Sequence, residues 1–378
     1  MVQGEDGAQM RIAYLSRGYS VYDRRFLKKM VERGHDAHFI SYYACQQRVE
    51  VEGVRNYFYD YNTLHRFGRL KILQTAWHLR KLLNTIKPNI LHTGWIQDHG
   101  FLGALCGFHP TLSMPWGSDV LINPDRNLFL KWIAKFMLRQ ADMITCDCEL
   151  VKQKVIQITG CRPDKIVVFP WGIDLGTFRP EFSRKIRKSL GWEHNKILIC
   201  TRNFDTRLHA VECFIRAIPA VLESCADVRV ILVGSGPLEH EYRELVSELS
   251  LNNIVHFAGW LDEGQMNEHL NEADIYVSSS LSDGTSCSLL EAMACCLAVV
   301  VSDTPANLEW VEDGTNGYIF PKGNSDALAE RLIALLTDES LRQEMGKRNL
   351  QIARERADWE RNFDKLEDIY RNLTENRR

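Results

Sequence analysis

The sequence predicts an α/β protein of two domains, each a parallel β-sheet covered by helices on both faces. Three observations carry that reading. The chain has 378 residues, many for one core and comfortable for two. Short β-branched runs alternate with helical stretches, the order expected of βα units in a covered parallel sheet. The alternation then occurs a second time, after an interruption punctuated by Gly and Pro at Pro170-Trp-Gly-Ile-Asp-Leu-Gly-Thr-Phe-Arg-Pro180.

In the first half, residues 11–15 read as a strand and 22–33 as the helix that follows, with Gly34-His35 turning into a strand at 37–40. A long helix from about 66 to 86 stops before Pro88, which cannot continue it. Strands follow at 89–91, 111–114, 143–145 and 166–169, with helices at 128–139 and 150–158 between them. Residues 127–139 are both apolar and basic, as interfacial helices are; their place between two strands favours a helix that covers the core. The second half is cleaner. Strands at 196–200, 228–233, 254–257, 275–277 and 298–301 are separated by helices near 208–224, 238–250, 264–272 and 286–295.

Composition narrows the function class. An apolar fraction of 45% and a charged fraction of 25% are those of a soluble globular chain, and a net charge of −3 gives no global attraction to nucleic acid. No apolar run approaches the roughly 20 residues that span a bilayer, and the first residues lack a signal-peptide profile, so a cytoplasmic protein is expected. The eleven cysteines include Cys146 and Cys148, one residue apart, and the adjacent Cys295 and Cys296. None has the C-x₂-C spacing of a zinc site, and reduced, mostly buried thiols are expected.

Ligands on such sheets bind beyond the carboxyl ends of the strands. In the second half those positions carry Arg202, then Gly234-Ser-Gly236, then Gly259-Trp260, then Asp283-Gly-Thr-Ser-Cys-Ser-Leu-Leu-Glu291. The last is the most informative. A polar turn leads from a strand into a helix N-terminus, whose N–H groups suit phosphate. Asp283 lies in the turn and Glu291 in the second helical turn, so two carboxylates can flank one ligand. A cation just past a buried strand, as at Arg202, is poorly placed for packing and well placed for a diphosphate.

With these motifs the chain resembles the family 4 (group 1) retaining glycosyltransferases of GT-B fold. The resemblance rests on the element ending in Glu291-Ala-Met-Ala294, Val233-Gly-Ser-Gly-Pro237, Pro170-Trp-Gly-Ile-Asp174 with Phe178, Pro115-Trp-Gly-Ser-Asp-Val120, and Glu309-Trp-Val-Glu-Asp-Gly-Thr-Asn-Gly317, in the family's order. It implies two Rossmann-like doubly wound domains facing across a central cleft: 1–175 for the acceptor, with the first nine or so residues disordered, and 193–356 for the donor. Residues 176–192 would link them, and a final helix within 357–378 would return to the first domain.

The resemblance also implies site roles. Arg202, Asp283, Glu291 and His92 would form the catalytic set. The donor would be bound by Gly18, Arg202, Arg207, Gly234, Gly236, Trp260, Asp283, Gly284, Thr285, Ser286, Leu290 and Glu291, with Glu291 on the ribose. His92, His99 and Asp119 would meet the acceptor. For each there is a plain alternative: a turn glycine, a rim tryptophan, a helix-dipole carboxylate, or, for Asp119, a capped turn.

Three departures from the family's pattern stand out. Its usual lysine after the arginine is absent, leaving Arg207 as substitute; its first glutamate is Asp283; and Ala294-Cys-Cys-Leu-Ala298 replaces its helix-ending Gly and following Pro. A cysteine in a left-handed position there costs on the order of 1 kcal/mol relative to glycine. The implied reaction moves a hexose-type sugar from a UDP- or GDP-sugar to a saccharide or lipid-linked acceptor, with retention by front-face attack. Such retention does not need the paired carboxylates of double displacement. No Asp-x-Asp is present, so neither metal nor cofactor is expected. The rival readings are a hydrolysing epimerase of the same fold and a non-catalytic nucleotide-sugar binder. A monomer or weak dimer, with peripheral contact at the inner face of the cell membrane left open, completes the expectation.

Overall fold

A computed structural model describes residues 9–18, 20–42, 50–60 and 71–375. The chain divides into two units, Met1–Phe169 with Phe363–Arg378, and Pro170–Asn362.

In the first unit seven strands lie in the order β3-β2-β1-β4-β5-β6-β7. They are β1 (Arg11–Leu15), β2 (Asp36–Ser41), β3 (Arg55–Phe58), β4 (Ile90–Gly94), β5 (Thr111–Met114), β6 (Met143–Cys146) and β7 (Ile166–Val168). All pair in parallel, with Ile12 opposite both Ala37 and Ile90. The strand order reverses between β1 and β4, which is the switch point of a doubly wound sheet. The helix Lys71–Ile86 packs Ala76, Leu79 and Leu83 beneath Ala13, Leu15 and Leu91. Its expected start near residue 66 lies outside the described residues.

In the second unit the order is β10-β9-β8-β11-β12-β13, again parallel throughout. These strands are β8 (Lys196–Thr201), β9 (Val228–Val233), β10 (Val255–Gly259), β11 (Ile275–Ser278), β12 (Ala298–Ser302) and β13 (Gly317–Phe320). The switch point falls between β8 and β11. Leu198, Val230, Leu232, Val277 and Val300 meet Phe214, Ile218, Leu332 and Leu335 of the covering helices in one core, all 1% exposed or less. Strands buried on both faces explain the unbroken apolar runs.

Two strands had no counterpart in the sequence reading. β3 and β13 are edge strands of four residues, and Arg55-Asn-Tyr-Phe58 and Gly317-Tyr-Ile-Phe320 mix polar, aromatic and glycine positions as edges do. Residues 170–192 group with the second unit. Buried Glu272 holds the segment there, accepting from Ser183 Oγ at 2.7 Å and from the Ile186 and Arg187 N–H groups at 3.0 and 2.8 Å. The helix Trp359–Glu375 crosses the division between the units in sequence; from Phe363 on it groups with the first, where Glu367 meets His35 Nε2 at 2.9 Å.

Candidate active site

Arg202 follows β8 directly and is only 8% exposed. Its Nη1 donates to Asp283 Oδ2 at 2.8 Å and its Nη2 to Ser278 Oγ, at the end of β11, at 2.9 Å. A guanidinium from one side of the switch point is thus held by a carboxylate and a hydroxyl from the other. Burying the guanidinium costs several kcal/mol, which its pairing with Asp283 offsets. Asp283 keeps 26% of its side chain exposed, so the pair is open to solvent on the carboxylate side.

The loops around this pair are stitched by backbone. Phe204 N–H donates to Ser235 O at 3.0 Å, Leu238 N–H to Phe204 O at 3.0 Å, and Leu281 N–H to Leu208 O at 2.7 Å. Gly234 and Gly236 permit the first two. A Cβ on Gly234 would lie 2.2 Å from Arg202 O, and one on Gly236 2.5 Å from the Phe204 carbonyl carbon. Their first duty is close packing of the loops after β8 and β9, which sets Arg202 in place. Gly259, with φ of +70°, accepts from Gly234 N–H through its carbonyl at 2.9 Å. Trp260, next along and 60% exposed, stands beyond the edge strand β10. That is two strand spacings from β8, about 10 Å.

The turn after β11 delivers the helix Cys287–Ala294. Ser286 caps it, accepting from Leu289 N–H at 3.2 Å. Gly284 is buried and Thr285 half-buried in the same turn. Within this helix only Ser288 and Glu291 escape burial, three residues apart and hence on one side. Glu291 therefore faces outward from a helix that is otherwise core. Leu290 does not. It is fully buried, and its N–H donates to Ser286 O at 3.2 Å, so its side chain has no route to a ligand.

Arg207 is exposed and paired with Glu241. A residue the sequence reading passed over is near the pair. His209 donates from Nδ1 to Asn203 O at 2.8 Å, while Ser279 Oγ donates to the His209 carbonyl at 3.0 Å. Burial, then the neighbouring Arg202 cation, hold its imidazole below the usual histidine pKa, so Nε2 stays unprotonated near the site. The only signal was its place in the loop after β8.

The first unit corrects three expectations. His92 lies within β4, not at its end, and no solvent reaches it. Its Nδ1 meets Tyr370 Oη at 2.6 Å and its ring packs edge-on to Tyr14, 5.0 Å away; burial pushes its pKa down to about 3. Asp119 is also fully buried, and its carboxylate is spent on the N–H groups of Ile96 and Trp116, at 3.1 and 2.9 Å. Desolvation pushes its pKa up to about 6. Of its two readings, the capped turn is what the structure contains. His99 is 1% exposed in a π-helical turn, Ile96–Gly100; Nε2 accepts from Tyr42 N–H at 3.3 Å and Nδ1 faces Asp98 Oδ1 at 3.0 Å. Gly18 lies two residues before Ser20, the N-cap of Val21–Glu32, and its neighbour Tyr19 is outside the described residues.

What reaches solvent near that switch point is Arg17, two residues past β1. It pairs with Asp98 and lies 4.6 Å over the Trp95 ring. The signal that picked out Arg202, a cation just past a buried strand, applies equally here.

Comparison with known proteins follows the same division. A family model described as glycosyl transferases group 1 matches residues 182–351, and one described as glycosyl transferase 4-like matches 11–148. The N-acetyl-alpha-D-glucosaminyl L-malate synthase of Bacillus anthracis is 26% identical over 93% of each chain. The putative glycosyltransferase EpsD of Bacillus subtilis is 26% identical over 77% of this chain and 78% of its own. Among solved structures, HepE of Anabaena superposes with a TM-score of 0.82 at 19% identity, covering 97% of this chain and all of the other. The sucrose-phosphate synthase of Thermosynechococcus elongatus gives 0.81 at 18%, covering 97% and 99%. With both units matched and the fold shared throughout, the chain belongs to the group 1, family 4-like glycosyltransferases of GT-B fold, enzymes that transfer glycosyl groups.

Proposed function

We propose that this glycosyltransferase moves a hexose-type sugar from a UDP- or GDP-sugar to a hydroxyl of a saccharide or lipid-linked acceptor, with retention, in envelope polysaccharide or glycolipid synthesis. The observation that carries the reading is the Arg202–Asp283 pair at the switch point, beside the N-terminal end of Cys287–Ala294. A buried guanidinium in a low-dielectric setting is a strong ligand for diphosphate oxygens. Glu291, facing outward one helical turn further, would accept from the ribose hydroxyls. Asp283, released when the diphosphate takes over Arg202, would accept from the hexose. A neighbour from Anabaena, described in complex with UDP and with UDP-glucose, supports a donor of this class.

In the proposed reaction the bond from the anomeric carbon to the diphosphate oxygen breaks while the acceptor oxygen bonds to the same face. The acceptor proton passes to the departing phosphate. Charge grows on the diphosphate, and Arg202 and the helix N-terminus stabilise it as it grows. These groups take the part a divalent metal plays elsewhere, so turnover in chelator is expected. His92 has no step in this scheme, because it is sealed in the core of the first unit.

A thermal-shift series with UDP-glucose, UDP-N-acetylglucosamine, GDP-mannose and ADP-glucose tests the donor. A ligand at 100 times its Kd adds roughly 2.7 kcal/mol of stability. Stabilisation by a UDP- or GDP-sugar, followed by α-linked product from an α-linked donor in NMR, is the expected result. Free epimerised sugar would turn the reading to an epimerase; no shift with any donor would overturn it.

A further inference from the structure

The helix Leu128–Gln140 buries Ile133, Ala134, Met137 and Leu138 and leaves its other side uncovered. There Leu128 is 85% exposed, Phe129 65% and Trp132 54%. The rings of Phe129, Trp132 and Phe136 stack along the helix, 6.2 and 5.6 Å apart with interplanar angles of 16° and 14°, so they form one strip. Lys131 and Lys135 are exposed on the same helix. The helix Lys71–Ile86 repeats the pattern: Leu73 is 54% and Trp77 61% exposed, and Lys81 Nζ lies 3.6 Å from the Trp77 ring centroid. Both helices pack against Phe101–Cys106, so they belong to one layer on one face of the first sheet.

The charge on these two helices has one sign. Lys71, Arg80, Lys81, Lys131, Lys135 and Arg139 are the charged residues of the two helices, and neither helix has a carboxylate. That is unusual in a chain whose net charge is −3. Exposed aromatics in such numbers mark an interaction site. Tryptophan with flanking lysine suits the boundary between lipid headgroups and acyl chains, where rings enter and amines stay at phosphate level. A two-fold dimer through this face would set like charges against each other.

We propose that this layer of the first unit docks on a bilayer containing anionic phospholipid, with Phe129 and Trp132 inserted and the lysines at the phosphates. The layer belongs to the first unit and Arg202 and Asp283 to the second, so the donor reading can fail while this proposal stands, and the reverse. Sedimentation of the full chain with extruded vesicles tests it, using phosphatidylcholine alone or an equimolar mixture with phosphatidylglycerol. Binding to the mixed vesicles should exceed binding to neutral ones at least tenfold and should fall as salt rises from about 50 to about 500 mM. Lys131→Glu with Lys135→Glu, and separately Phe129→Ser with Trp132→Ser, should each lower partitioning about tenfold or more, with unchanged circular dichroism and melting. Equal binding to both vesicle types, binding to neither, or binding unchanged in both double variants would overturn the proposal. So would a concentration-dependent dimer that Phe129→Ser with Trp132→Ser abolishes, which would give the face to a second copy.

Discussion

Arg202 donates from Nη1 to Asp283 Oδ2 at 2.8 Å, across the switch point between the ends of β8 and β11. Two positions 81 apart in sequence are thereby one charged unit, and the effect of changing either follows from what is left of the other. Asp283→Ala leaves a buried guanidinium with Ser278 alone, and should cost about 1–3 kcal/mol, less than a fully buried pair because the carboxylate is partly solvated. Asp283→Glu restores the acid usual in the family. It should hold stability within about 1 kcal/mol of the parent while changing the ranking of donor sugars. Thermal melts and competition between UDP- and GDP-sugars measure the two effects; a melt unmoved by Asp283→Ala would show that the pair does not form.

Tyr370→Phe separates packing from chemistry at His92. The change leaves His92 Nδ1 without its partner in a site no solvent enters. A loss of about 1–3 kcal/mol is expected, with kcat within about twofold of the parent. A kcat lowered tenfold at unchanged melting temperature would instead give His92 a proton-transfer role.

Asp119 predicts a pH dependence. Burial pushes its carboxyl up to about 6, above the usual range near 4. Because the folded pKa is the higher one, the contribution to stability is fully present below about pH 4 and is lost as pH rises through 6. Relative to Asp119→Asn, the parent should lose up to about 3 kcal/mol between those limits. Melting both proteins from pH 4.5 to 7.5 checks this; a parallel pair of curves would contradict it.

Cys296 sits at φ of +66° just past Cys287–Ala294, and the turn is closed by Cys296 N–H to Met293 O and Leu297 N–H to Ala292 O, each 3.1 Å. This is the Schellman geometry in which glycine is the unstrained residue. Cys296→Gly should therefore stabilise by about 1 kcal/mol or less, after the entropy glycine adds to the unfolded chain. A lower melting temperature would mean the thiol's packing outweighs the backbone strain.

These residues also mark how far the sequence could be read. The placement of Arg202 at the end of β8, of Asp283 in the turn after β11 and of Glu291 on the less buried side of its helix was legible, because a charged group beside a buried strand or on an apolar helix has few structural uses. The cysteine in a left-handed cap was legible for the same kind of reason, a residue out of keeping with its place. Leu290 was misread because a motif lists neighbours without saying which side of a helix each faces. His92 and Asp119 depend on partners far off in sequence, Tyr370 and the Ile96 N–H, and no local pattern announces such contacts. His209 had only its place in the loop after β8 as a signal, and the folded loop brings it near Arg202.

Calorimetric titration of UDP and GDP into the parent and into Arg202→Ala measures whether Arg202 binds the donor's diphosphate. One of the two nucleotides should bind the parent and lose well over tenfold in affinity with the variant, about 1.4 kcal/mol or more. The variant's circular dichroism should be unchanged. Equal affinity in a folded Arg202→Ala protein would show that Arg202 does not hold the diphosphate.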